Sequence, residues 1–132
     1  MQTEQLPATR YTGTYPGRAD QVGHVRRAIA KYLAGCPAAD DALLIVSELA
    51  TNAIVHSASR GKSFTIRADQ RADHVRVEVE DLGGPWRRRQ HDDRPHGLNV
   101  VEALTGPGGW GTQTTSEGSR IVWAQLDLSA GD

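Results

Sequence analysis

Cysteine is nearly absent from this chain: Cys36 stands alone among 132 residues, so no internal disulfide can staple the fold. A net excess of one charge sign is missing too. Fifteen Lys and Arg against sixteen Asp and Glu leave a formal charge of −1, which creates no overall field favouring nucleic acid or an anionic membrane, so any charged partner must be recognised locally. Long apolar runs are lacking: even Ala42 to Val55 is interrupted by Glu48 and Asn52, far short of the roughly 20 residues that span a bilayer. The polar start Met1 to Arg10 has no apolar core of a signal peptide, and a cytoplasmic protein is expected. Aromatics form only 5% of the chain, and no basic groove surrounds Trp86, Trp110 or Trp123, which argues for packing roles and against base stacking and direct nucleic-acid binding. His24, His74 and His91 show no metal-ligand spacing with Cys36, so a zinc site is not expected.

What is present suits one compact domain over residues 1–132, with its core at about 19–128. Arg10 to Tyr15 reads as a strand or extended arm ending at Pro16-Gly17. Val22, Val25, Ile29 and Leu33 recur at helical intervals and predict a first helix from Ala19 to about Ala34, stopped by Gly35-Cys36-Pro37. A second helix is predicted to about Ser57, with Asp40 or Asp41 satisfying amides at its start and Leu43, Val46, Ala50, Ala53 and Ile54 making a wide apolar stripe. The period then falls to two. Phe64, Ile66 and Ala68 share one face, as do Val75, Val77 and Val79, and the two runs read as a hairpin pair. A polar loop from Trp86 to Pro95 carries Arg87-Arg88-Arg89, which attracts a triphosphate or an acidic partner unless it is simply solvated surface. Gly97 opens a third helix through Leu104, and Trp110 to Ser116 and Arg120 to Leu128 flank the turn Glu117-Gly118-Ser119. This order predicts a two-layer α/β sandwich, with a mixed, mostly antiparallel sheet carrying helices on one face.

Three features carry chemistry. Glu48 and Asn52 lie four residues apart on one helix face, with His56 a turn beyond. An amide oxygen and a carboxylate in such a row can hold a hydrated cation and accept a proton; the alternative is a solvated helix face. The run Asp81-Leu82-Gly83-Gly84-Pro85 ends a strand in an acid followed by two glycines. The acid can accept from the exocyclic amine of a base or close the strand as an Asx turn, and the glycines allow close backbone approach. His96-Gly97-Leu98 begins a helix, where free amides favour a phosphate, as at any helix start.

The order Ser47-Glu48-Leu49-Ala50-Thr51-Asn52-Ala53, then Asp81-Leu82-Gly83-Gly84, then Gly97-Leu98 resembles the boxes of the GHKL ATPases. More narrowly, Asp41 to His56, Val75 to Pro85, Gly97 to Leu104 and Gly118 to Leu126 are similar to the anti-sigma factor serine/threonine kinases. The resemblance implies the Bergerat ATP-binding fold, with ATP and magnesium as cofactors. By the same resemblance Glu48 is the general base, Asn52 the magnesium ligand, and Asp81 the acceptor of the adenine amine. Gly83 and Gly84 wall the base, and His96, Gly97 and Leu98 lie by the phosphates. It further implies phosphorylation of an anti-anti-sigma factor, sequestration of a sigma factor, and either a homodimer or a complex with a partner. The chain differs from the family where a glycine-arginine-glycine-leucine run is usual: the corresponding stretch is Asp93-Arg94-Pro95-His96-Gly97-Leu98. Ile121 stands where relatives often carry a threonine near the adenine.

Overall fold

The structure is a computed structural model that describes residues 9–56, 62–83 and 98–128. Its elements are β1 (Thr9–Pro16), α1 (Val22–Tyr32) after a short 3-10 turn at Ala19–Gln21, α2 (Ala39–His56), β2 (Ser63–Gln70), β3 (His74–Asp81), α3 (Leu98–Thr105), β4 (Trp110–Thr114) and β5 (Arg120–Asp127). The strands form a single sheet in the order β1-β2-β3-β5-β4, and every pairing among them is antiparallel.

The two-residue period decides which face of the sheet is covered. Phe64, Ile66 and Ala68 on β2, Val75, Val77 and Val79 on β3, and Val122, Ala124 and Leu126 on β5 are all buried. Against this face pack Val25 and Ile29 from α1, Ala42, Ile45, Val46, Leu49, Ala50, Ala53 and Ile54 from α2, and Leu98 and Val101 from α3. The α/β sandwich is therefore confirmed, with the helices on one side, but the sheet is not mixed as expected: each neighbouring pair of described strands is antiparallel. The other face carries a charge ladder. Arg67 donates to Glu78 at 2.9 Å and to Glu80 at 2.7 Å, while Arg76 reaches Glu78 at 3.2 Å and lies 4.7 Å from the centroid of the Trp123 ring. Such pairs hold register on a face that none of the described helices covers.

Several boundaries shift for physical reasons. Helix one starts at Val22 because Ala19–Gln21 winds as a tighter 3-10 turn, and it ends before Gly35, which takes φ +85° and turns the chain left-handed. Helix two begins at Ala39, so Asp40 and Asp41 sit inside its first turn, where they complement the helix dipole rather than cap it. Its buried stripe is shifted as well: Ala42 and Ile45 are fully buried, whereas Leu43 is only half-buried. The expected last strands shorten to Trp110–Thr114 and Arg120–Asp127 around the turn.

Candidate functional site

The core is apolar with two exceptions. Among the described residues the buried polar or charged side chains are Asn52 and Asp81, each 3% exposed. One comes from α2 and the other from the end of β3, and these two elements pack directly on each other. A lone amide or carboxylate in such a place costs free energy unless something compensates it, so both residues mark a position where folding alone does not explain the choice of side chain.

Asn52 is the clearer case. Its Nδ2 has no hydrogen-bond partner among the described residues. A half-turn of the amide puts its oxygen at the same spot, so the side chain offers either a donor or a cation ligand that the fold leaves uncommitted. Glu48, one turn earlier, is half-buried, and Thr51 and Val55 are exposed. The Glu48–Asn52 row thus runs from the half-buried margin of α2 at Glu48 into the buried layer at Asn52, with exposed Thr51 and Val55 beside it. Rotation of α2 about its axis is held from the other side, because Arg26 on α1 donates to Ser47 Oγ at 2.6 Å and to the Leu43 carbonyl at 3.3 Å.

Asp81 sits in a cradle built by three parts of the chain. The Gly83 amide donates to its Oδ1 at 2.7 Å, closing the strand as an Asx turn. Arg120, its register partner on β5, brings a guanidinium nitrogen to 3.5 Å of the same oxygen, an ion pair longer than a good hydrogen bond. The side chains are 2% and 12% exposed. Burial pushes the Asp81 carboxyl above its ordinary range, while the Gly83 amide and Arg120 pull it back; burial likewise pulls the Arg120 guanidinium down.

Gly83 is demanded twice over. Its φ is +78°, and a Cβ there would strike the Gly118 carbonyl oxygen in the β4–β5 turn. That turn is itself tied to the sheet: Ser119 Oγ donates to Glu80 at 2.5 Å and shares a 2.7 Å hydrogen bond with Thr115 Oγ1, and the Ser119 and Arg67 bonds hold the Glu80 carboxyl below its usual range. Glu80 and Asp81 therefore clamp the same turn from opposite faces of the sheet, one through Ser119 and the other through Arg120. The sequence expectations omitted Arg120. Its signal was parity, since it alternates inward with Val122, Ala124 and Leu126, a place where an arginine needs a partner.

Other expected site residues fall differently. Leu98 is 1% exposed and its side chain belongs to the core, which leaves its backbone amide at the start of α3 as the group that could serve a phosphate. Ile121 pairs with Glu80 and lies on the outer face, opposite to Asp81. Gly84, His96, Gly97 and the loop Trp86 to Pro95 lie outside the described residues, as does the His56 side chain. No group of three His, Cys, Asp or Glu side chains able to hold a metal occurs among the described residues. Magnesium does not require one, because it keeps several waters and takes one or two protein ligands plus substrate phosphates.

No curated protein matches the chain significantly. Residues 15–113, however, match the family model described as a histidine kinase-like ATPase domain. Because that match runs from the end of β1 into β4 and takes in α2, the whole of β3 and α3, the chain belongs to the histidine kinase-like ATPase domain family.

Proposed function

We propose that this ATP-binding domain takes ATP together with magnesium and acts as a protein serine/threonine kinase of the anti-sigma factor type. Its substrate would be a Ser or Thr hydroxyl on an anti-anti-sigma partner, and its regulatory act the capture of a sigma factor. The observation that carries the nucleotide reading is the pair of buried polar side chains, Asn52 and Asp81, at the two positions that the family resemblance assigns to metal and base.

The residues present fit that cofactor set. Asn52 offers an uncommitted amide at the edge of the core, suited to one position in a mostly aqueous magnesium shell. Magnesium, when bound, neutralises charge on the phosphates. Asp81, with Oδ1 already engaged by Gly83 and Arg120, accepts the adenine amine. Glu48 takes the proton of the attacking hydroxyl; that oxygen bonds to the γ-phosphorus as the bond to the β–γ bridging oxygen breaks and ADP leaves. A non-catalytic regulator of the same fold is the second reading, favoured by Pro95-His96 in place of the family's usual glycine and arginine.

Calorimetry with ATP, with and without magnesium, tests the proposal, followed by labelled-phosphate transfer to an anti-anti-sigma protein. Magnesium-dependent ATP binding that weakens in Asn52→Ala supports it. A folded protein that binds no ATP would sink the kinase and the nucleotide reading of the site and leave only a regulator acting by protein contact, whereas ATP binding without transfer to any such partner leaves the non-catalytic ATP-binding regulator.

A further inference from the structure

Arg120 is the one cation whose guanidinium meets a buried carboxylate among the described residues. It stands on the helix-covered face of β5, directly opposite Asp81 in register, with only 12% of its side chain exposed. An arginine gains nothing from that burial except through what it contacts, since desolvation of the guanidinium is costly. Among the described residues, the Gly83 amide and Arg120 both meet the Asp81 carboxylate at Oδ1.

We propose that Arg120 sets the base specificity of this site: by pairing with Asp81 Oδ1 across the β3–β5 ladder, it fixes the carboxylate as an acceptor, so the site takes a base carrying an exocyclic amine and rejects one carrying a carbonyl there. The inference rests on the reading of Asp81 as the base-binding residue. An ionised carboxylate only accepts hydrogen bonds; a protonated one donates as well and welcomes a carbonyl oxygen. Burial drives Asp81 toward the protonated form, and Arg120 opposes it. Other groups on the packed elements do not replace it. Glu80 on β3 adds a like charge, Arg67 on β2 is spent on Glu78 and Glu80, and Glu48 on α2 is acidic. Arg120 is thus a positioning residue: it acts on the ligand through Asp81.

The probe is the ratio of affinities for ATP and for inosine triphosphate, which presents a carbonyl where adenine presents the amine. Wild-type protein should prefer ATP with a ratio that changes less between about pH 6 and about pH 8.5 than in a variant without Arg120, since Arg120 opposes the protonation that burial of Asp81 favours. In Arg120→Met the ratio should collapse at the low end by roughly ten- to a hundredfold, the worth of a hydrogen bond to a charged group, and recover toward high pH as Asp81 ionises again. Arg120→Lys should retain the preference, and Arg120→Gln, which preserves a donor without charge, should follow Arg120→Met while guarding against a Met variant that does not fold. A structural role alone would lower both affinities together at every pH. Variants that fold and keep the wild-type ratio at low pH, while Asp81→Asn loses it, overturn the role of Arg120 and leave Asp81 in place. A wild-type protein that binds neither nucleotide overturns the site reading and this inference with it.

Discussion

Gly83→Ala is the sharpest test of how the site is built, because Gly83 is fixed by two separable constraints. Its φ of +78° is one that L side chains rarely adopt, and the left-handed conformation costs alanine about 1 kcal/mol. The added methyl would also strike the Gly118 carbonyl, a backbone atom in a turn held by Ser119 and Thr115, so it cannot simply swing aside. Overpacking of this kind costs about 1–3 kcal/mol, for a total of about 2–4 kcal/mol. Gly35→Ala supplies the control: its φ is +85° but nothing lies within 4 Å of the new Cβ, so it reports the backbone cost alone. For a chain of this length 1 kcal/mol moves the melting temperature by about 4 °C, so Gly35→Ala should lower it by about 4 °C and Gly83→Ala by about 8–16 °C. Calorimetric melts of the two variants check this. ATP affinity should fall in Gly83→Ala only, because the Gly83 amide orients Asp81. Equal melting temperatures for the two variants would refute the close approach of Gly83 to the β4–β5 turn.

Asn52→Leu should raise the melting temperature, since it replaces a buried amide with an unpartnered Nδ2 by apolar volume, while abolishing magnesium-dependent ATP binding by calorimetry. Glu48→Ala should leave ATP affinity within about threefold yet remove phosphoryl transfer, as expected of a base that acts only in the chemical step. The Glu80 carboxyl is held low by Ser119 first and Arg67 second, so it contributes stability above its unfolded value of about 4.3, and that contribution is lost as pH falls below it. Urea titrations should therefore show Ser119→Ala losing less stability than wild type between about pH 4.5 and about pH 3. Restoring the family's residues by Pro95→Gly with His96→Arg should raise any transfer rate, since an arginine at a transferring phosphoryl group is worth on the order of a thousandfold; an unchanged rate at normal ATP affinity would exclude the lid as the limit.

Most of the fold was legible because periodicity reports burial directly. The alternation of Val75, Val77 and Val79 with Arg76, Glu78 and Glu80 settled both the strand and which face meets the helices. Helix starts were less legible, since a Pro-Ala-Ala-Asp-Asp stretch can place its acids at the cap or one turn inside, and only the turn at Cys36 to Ala39 decides between them. Glu48, Asn52 and Asp81 could be named as candidates only through the order of their motifs along the chain, because each local pattern alone also fits an ordinary helix face or strand-end turn. Arg120 could not: it meets Asp81 only because β5 lies beside β3 with Asp81 opposite Arg120, and strand register between segments almost forty residues apart has no local signature. The same holds for Gly83 against Gly118, which looks like an ordinary turn glycine until the hairpin is in place.

The end of β3 shows how this domain divides stability from function. Glu80 and Asp81 are neighbours in sequence and point to opposite faces of one strand. Their carboxyls shift in opposite directions, because Glu80 meets Ser119 and Arg67 at the solvent-facing surface whereas Asp81 is carried into the helix-covered layer. One adds to stability at neutral pH. The other lowers it, and its partner Arg120 is itself desolvated by the pairing. A core position bordered by Val79 and Val122 would be filled more cheaply by another valine, as it is at every earlier inward position of β3. The same comparison applies on α2, where Asn52 interrupts a stripe that is otherwise Ala, Leu, Ile and Val. Two costly substitutions on two elements that pack against each other are hard to explain separately, but follow at once if one ligand spans both, with its charged end toward Asn52 and its base toward Asp81.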